Sequence, residues 1–492
     1  MSNKEHRISN VEVKEGCRPS SLVARGIVYI RFLFCCHLSL LLQPAEATVK
    51  PNSLFSDHMV LQQGVAVPVW GSADEGEVVT VSFNGQKVSA TAKNGKWMVR
   101  LQPLAYSNTP ATMTITGSNT ITIQDILVGE VWLCSGQSNM ERQLGPRPPQ
   151  PPITDWEKER DAANYPGIRE YYVPLKYAAD RVDDINSQWS VCSPQTVADF
   201  SAVGYFFAKN LYSKLKVPVG IVFSAFGGTP AEDWTSKAAL EGNPELTDLV
   251  KNYDKATTDY KPAGKVMSGL YNGMVYPLVP YAIKGVAWYQ GEANSGRPKE
   301  YQIVLPNMIR NWRQDFGLGD FPFLIVQIAP FKDMSPEIRE AQLLVSKKVN
   351  NTALIVTTDC GDANDIHPPH KQPVGERLAL AARALAYGES VEYAGPTYRT
   401  HTIRNNKMVL DFTHTGKGLT AKGDGTLTGF TIAGADKHFV TAHALIKGKT
   451  VIVYSDEIQK PVAVRYGWTN VPEATLYNAE GLPASPFRTD IE

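Results

Sequence analysis

Cysteine is scarce in this chain: there are six in 492 residues, and three of them precede residue 48. Beyond that stretch only Cys134, Cys192 and Cys360 are left, an odd number with no Cys-x-x-Cys pair, which argues against a disulfide framework and a cysteine zinc site. Charge bias is missing too. With 49 basic and 49 acidic residues, the chain has no electrostatic reason to hold nucleic acid or an anionic membrane surface. No repeat of fixed period is visible. The one strongly apolar stretch, Phe32 to Leu42, follows Arg25 and Arg31 and precedes Ala45-Glu46-Ala47. That is the pattern of a secretory signal peptide over 1–47 rather than of a membrane span. The expected mature chain is secreted or periplasmic, has no membrane span, and is long enough for two or three domains.

From 48 to 124, short β runs alternate with turns: Val78 to Phe83 leads into Asn84-Gly85, and Asn94-Gly95 leads into Lys96 to Val99. Asn-Gly between alternating runs is the strongest short hairpin signal, so an N-terminal β-sandwich domain is expected. Across 125–390 the pattern changes. Runs at Ile126 to Cys134, Val219 to Ser224, Ile283 to Tyr289, Phe323 to Ile328 and Ala353 to Thr357 alternate with helical spacing. The helices are expected at Val203 to Leu215, around Leu305 to Trp312, at Glu337 to Val349 and at Val374 to Leu385. Strands alternating with helices indicate an α/β domain with a parallel sheet covered on both faces. Pro146 to Pro152 holds five prolines and is expected to form a surface loop near Ser138. From 391 to 492 the β punctuation returns, as in Lys407 to Phe412 and Thr450 to Tyr454, and suggests a second β-sandwich.

In α/β sheets, sites lie at the carboxyl ends of strands, so the segments that follow each run are the places where chemistry is expected. The first run ends in Ser135-Gly136-Gln137-Ser138-Asn139-Met140, where Gly136 permits a tight turn that presents Ser138 as a nucleophile. This is not a Gly-x-Ser-x-Gly elbow, because Met140 stands where the second glycine belongs. After the second run, Gly227 and Gly228 precede Thr229, Pro230 and Glu232, a capping-box pattern whose backbone N–H groups would suit an anion. The third run is followed by Gln290-Gly291-Glu292-Ala293-Asn294, in which Gln290 or Asn294 could donate to an oxyanion. The last is followed by Asp359 to Lys371, where His367 lies among carboxylates, the setting of a base for a serine. The acidic spacing does not match an EF-hand, and no metal site is expected.

The serine block, together with Gly129-Glu130-Val131-Trp132-Leu133, resembles that of the sialate O-acetylesterase family, a branch of the SGNH (GDSL-like) hydrolases. The glycine, amide and Asp/His blocks follow in the order expected of that family. Leu54 to Gln62, Arg339-Glu340-Ala341-Gln342 and Gly481 to Asp490 are similar to its other stretches. The resemblance implies an SGNH-type three-layer α/β/α hydrolase domain flanked by β-sandwich segments. It makes Ser138 the nucleophile and His367 the base. The oxyanion hole would combine the Ser138 N–H, an N–H at Gly227 or Gly228, and the amide of Gln290 or Asn294. Arg339 and Gln342 are expected to contact substrate, and no metal or organic cofactor is required.

Two departures from the superfamily pattern matter. The amide block is not Gly-x-Asn-Asp, which leaves the donor open between Gln290 and Asn294. Asn364 stands where Asp-x-x-His would have its aspartate, so Asp365 is preferred as the residue orienting His367, with Asp362 or an unassisted dyad as alternatives. The expected reaction is hydrolysis of O-acetyl groups on a sugar, with sialic acid implied by the resemblance and acetylated xylan or pectin suited to the same framework. Two rivals are a carbohydrate-binding protein using Trp132, Trp234 and Trp288 as platforms, and a metal-dependent deacetylase using the acidic loop. A lectin has no reason to carry Ser138 and His367 at strand ends.

Overall fold

One strand, Thr120–Gly136, carries the chain from the N-terminal β region into the α/β region. From Thr120 to Asp125 exposed and half-buried residues dominate, as on a sheet with one wet face, whereas Ile126 to Gly136 is buried throughout, as a parallel sheet covered on both faces requires. Its first part pairs antiparallel with Ser107–Thr116 and its second part pairs parallel with Val219–Ala225 and Gly285–Tyr289. The boundary expected at 124/125 therefore falls within a continuous strand. The computed structural model describes residues 49–253 and 265–490, so the expected signal peptide at 1–47 lies outside the described residues.

The main sheet runs in the order Trp189–Cys192, Tyr165–Tyr172, Val219–Ala225, Thr120–Gly136, Gly285–Tyr289, Phe323–Val326, Thr352–Ile355. All neighbours are parallel except the Trp189–Cys192 edge, which is antiparallel. Alternate side chains of the central strand divide between the two faces: Trp132 and Cys134 pack with the helices Ala202–Leu215 and Gln372–Tyr387, and Val131 and Leu133 with Pro298–Phe316 and Pro336–Lys348. Trp132, Trp234 and Trp288 are all fully buried, so they are core rather than sugar platforms.

One strand of this sheet carries signals that apolar patterning does not detect. Tyr165–Tyr172 contains Pro166, Gly167, Arg169 and Glu170, yet both charged residues are buried. Arg169 is accommodated because its guanidinium donates to the carbonyls of His58, Asp125 and Pro166 and to the Asp125 carboxylate. Burial pushes the Glu170 carboxyl well above the ordinary range.

On the N-terminal side, Asn84-Gly85 and Asn94-Gly95 have positive φ at both residues, as type I′ hairpin turns demand. At the C-terminal side, two four-stranded antiparallel sheets enclose a common core: Met408, Leu410, Val451 and Val453 from one, and Phe430, Ile432, Val464 and Phe487 from the other. Among the described residues, no helix is long and apolar enough to cross a membrane.

Candidate active site

Gly136 closes the central strand with φ +143°, and a Cβ there would lie 2.1 Å from the carbonyl oxygen of Tyr289 on the neighbouring strand. Only glycine permits that approach. The Gln137 N–H donates to the same carbonyl at 2.9 Å, and the helix Ser138–Glu141 begins at once. Half-buried Ser138 thus opens onto a cleft of about 530 Å³ at the carboxyl ends of the parallel strands. Gly227, Gly228, Glu292 and His367 line that cleft, as do Arg147 and Gln150 from the proline-rich loop. A larger hollow of about 710 Å³ around Tyr165, Arg169 and Lys216 contains no histidine.

The loop bearing His367 is built by its own carboxylates. Asp362 Oδ1 accepts the N–H groups of Asn364 (2.7 Å) and Asp365 (3.2 Å), which caps the turn. Asp365 Oδ1 accepts the His367 N–H at 2.8 Å and lies 3.9 Å from the ring Nδ1. The side chain within hydrogen-bond distance of Nδ1 is that of Gln150, whose Nε2 is 3.2 Å away. Burial, then the nearby Lys371 charge, hold the imidazole below the ordinary histidine range, with Arg142 and Arg147 acting the same way and Asp365 opposing them.

Asn139 ties the serine turn to this loop. Its Nδ2 donates to Glu292 Oε1 (2.7 Å) and to the Ile366 carbonyl (3.0 Å), while its Oδ1 accepts from Lys371 Nζ. Burial lowers the Lys371 ammonium to about 7 and raises the Glu292 carboxyl, and each group moderates the other.

The donors around Ser138 differ from the expectation. Gln290 is fully buried and its Nε2 donates to the Thr229 carbonyl (3.0 Å) and to Asn294 Oδ1 (2.7 Å), so both amide hydrogens are directed away from the cleft. Asn294 is buried as well; its Oδ1 also accepts the Ala231 N–H and its Nδ2 donates to Glu232 Oε2. Neither lines the cleft. These two amides hold the loops in place instead of facing an oxyanion. The capping box is also absent: Thr229 Oγ1 donates to the Phe226 carbonyl and accepts from the Trp234 indole, Glu232 pairs with Arg297, and only a short 3₁₀ turn, Ala231–Trp234, follows. The Gly227 N–H donates at 2.6 Å to Oε2 of Glu141.

A family model described as carbohydrate esterase, sialic acid-specific acetylesterase, matches residues 128–384. The chain belongs to this sialate O-acetylesterase family. Curated sialate O-acetylesterases match over most of their length: the human protein is 31% identical across 88% of this chain and 91% of its own, and the mouse protein 30% identical across 89% and 94%. Among solved structures, a carbohydrate acetylesterase from Xanthomonas citri superimposes with a TM-score of 0.82 at 37% identity, covering 90% of this chain and all 100% of the other. As a member of the sialate O-acetylesterase family, the chain is a carboxylic ester hydrolase with an SGNH-type α/β fold.

In this esterase Arg339 and Gln342 are fully buried and do not line the cleft. Gln342 Oε1 accepts the Ile328 N–H at 2.9 Å and its Nε2 donates to the Gln290 (2.9 Å) and Val326 (3.1 Å) carbonyls, locking the amide block onto the next strand. Arg339 donates to the Thr469 carbonyl in the C-terminal β region. The expected substrate contacts are therefore corrected to structural ones: the motif serves packing between segments distant in sequence. Glu141, Arg147, Gln150 and Asn139 escaped the sequence reading because isolated polar residues in a loop or a single helical turn carry no periodicity. The available hint was position, since Asn139 and Glu141 immediately follow the candidate nucleophile on one helical turn.

Proposed function

We propose that this esterase removes O-acetyl groups from sugars, sialic acid foremost, by acyl transfer to Ser138. The observation that carries the reading is that Ser138, His367 and the Gly227-Gly228 turn line one cleft at the carboxyl end of the sheet. Ser138 Oγ attacks the acetyl carbonyl while His367 Nε2 takes its proton. The tetrahedral oxyanion is met by backbone N–H groups, and the carbon–oxygen bond to the sugar breaks as His367 returns the proton to the departing alkoxide. Water, deprotonated by the same imidazole, then attacks the acetyl-enzyme and releases acetate. Asp365 is the orienting carboxylate in this reading, supported by its 2.8 Å bond to the His367 backbone.

Sialic acid as the sugar is supported by the 31% identity to human sialate O-acetylesterase and by the family match. The apolar stretch read as a signal peptide supports action in a secretory or periplasmic compartment. The test is release of acetate from 9-O-acetyl sialic acid, acetylated xylan and an aryl acetate by the purified protein and by Ser138→Ala. Ser138→Ala should lose about 10⁴-fold or more on all three substrates. Wild-type-like turnover by that variant would sink the mechanism, whereas preference for xylan would keep the mechanism and replace the sugar.

A further inference from the structure

Glu141 lies three residues beyond Ser138 and lines the same cleft. Its carboxylate is held at both oxygens: Oε2 accepts the Gly227 N–H at 2.6 Å, and Oε1 meets Arg147 Nη2 at 2.8 Å. The carboxylate is largely sheltered, at 13% exposure, while its partner Arg147 is 40% exposed. A Cβ on Gly227 would sit 2.9 Å from Glu141 Oε2 and 3.2 Å from Ser138 Cβ, so the glycine turn, the carboxylate and the nucleophile form one tight contact.

Gly227 has a single N–H, and Glu141 occupies it. Among the described residues, the N–H groups of Gly228 and Ser138 meet no backbone acceptor outside regular helices and strands, and no side-chain acceptor. A charge-assisted bond of this length fixes the peptide preceding Gly227 and with it the direction of the next N–H along the chain. A bare carboxylate beside a developing oxyanion would oppose acyl transfer, because like charges in a sheltered site repel strongly. Arg147 removes that penalty by pairing with the far oxygen.

We propose that Glu141 is a positioning residue of the oxyanion hole, holding the Gly227-Gly228 turn so that the Gly228 N–H meets the acyl oxygen, with Arg147 cancelling its charge. The proposal rests on Ser138 being the nucleophile. The amides of Gln290 and Asn294 take no part in this device; the hole is made of main chain and braced by an ion pair.

The test measures kcat and KM on an aryl acetate for the full chain and for Glu141→Ala, Glu141→Gln, Arg147→Ala, Glu141→Gln/Arg147→Ala and Ser138→Ala, with circular dichroism to verify folding. Loss of one oxyanion donor costs roughly 10²–10³ in rate, so a misdirected donor in Glu141→Ala should lower kcat by about 10–100-fold with KM little changed. Glu141→Gln, whose amide oxygen still accepts the Gly227 N–H, should lose less. Arg147→Ala should lose activity that the double variant partly regains, because a neutral amide needs no cation. Restoration of kcat between variants that circular dichroism shows to be equally folded is not what a merely structural defect gives. Unchanged or raised kcat in folded Glu141→Ala, or a double variant no better than Arg147→Ala, would overturn the proposal. If Glu141→Ala does not fold, the comparison of Arg147→Ala with the double variant decides. Persistent activity of Ser138→Ala would instead remove the nucleophile assignment itself, so the two failures are separable.

Discussion

Asp365 Oδ1 accepts the backbone N–H of His367 at 2.8 Å but stands 3.9 Å from the ring Nδ1 of the same residue. The carboxylate fixes the histidine's main chain directly and acts on its ring through charge. Asp365→Asn keeps an oxygen for the N–H and removes that charge, so turnover should fall by up to about 10⁴-fold, as when a triad aspartate becomes an amide. Asp362→Asn should stay near the parent rate, since an amide oxygen can still accept the Asn364 and Asp365 N–H groups. Steady-state rates of both variants on one substrate decide the matter. A large loss at Asp362 alone transfers the role, and near-normal rates in both leave Ser138 and His367 as a dyad.

Gln150 offers a second partner to the same ring. Its Nε2 lies 3.2 Å from His367 Nδ1, and its buried Oε1 has no hydrogen-bond partner. An imidazole that accepts from Ser138 at Nε2 carries its hydrogen on Nδ1, which an amide turned to present Oε1 can accept. Gln150→Glu would put a negative charge against Nδ1 and favour the imidazolium, moving the acid limb of kcat/KM to higher pH than in the parent. An unmoved limb would place Gln150 outside the working geometry.

Most of the fold was legible because apolar strands and amphipathic helices announce themselves by period. The Ala202–Leu215 and Gln372–Tyr387 helices extend the expected runs by one and four residues, and the central strand Thr120–Gly136 runs eight residues beyond its expected span. Tyr165–Tyr172 was not legible, since a strand whose buried charges are satisfied by carbonyls of distant segments looks polar in isolation. The same reason divides the site. Ser138 and His367 stand out by chain order at strand ends, but whether Gln290 faces the cleft or the Thr229 carbonyl depends on a contact 61 residues away in sequence.

The pH profile carries a sign that follows from the surroundings of His367. Burial and the Lys371 charge hold its pKa below the ordinary value of 6.5. The base must be neutral to act, so activity is expected to persist below that value and to fail as pH drops through the lowered pKa. Lys371→Met removes one of the depressing charges and should shift the limb upward. A parent limb at or above 6.5 would contradict the arrangement.

Arg339 provides the contrast between a motif residue that touches substrate and one that holds the fold. It is fully buried, its pKa is brought down to about 10 by burial, and it remains charged at neutral pH. Its guanidinium donates to the Thr469 carbonyl and, at 3.4 Å, to that of Met334, so it bridges the helix Pro336–Lys348 to the C-terminal β region. Arg339→Met replaces the charge with an apolar chain of similar length but leaves those carbonyls without their donor. Each orphaned group costs about 1–3 kcal/mol, so thermal unfolding should shift to clearly lower temperature. The folded fraction should keep the parent kcat and KM, because no part of Arg339 lines the cleft. A raised KM with an unchanged melting temperature would return Arg339 to the substrate site.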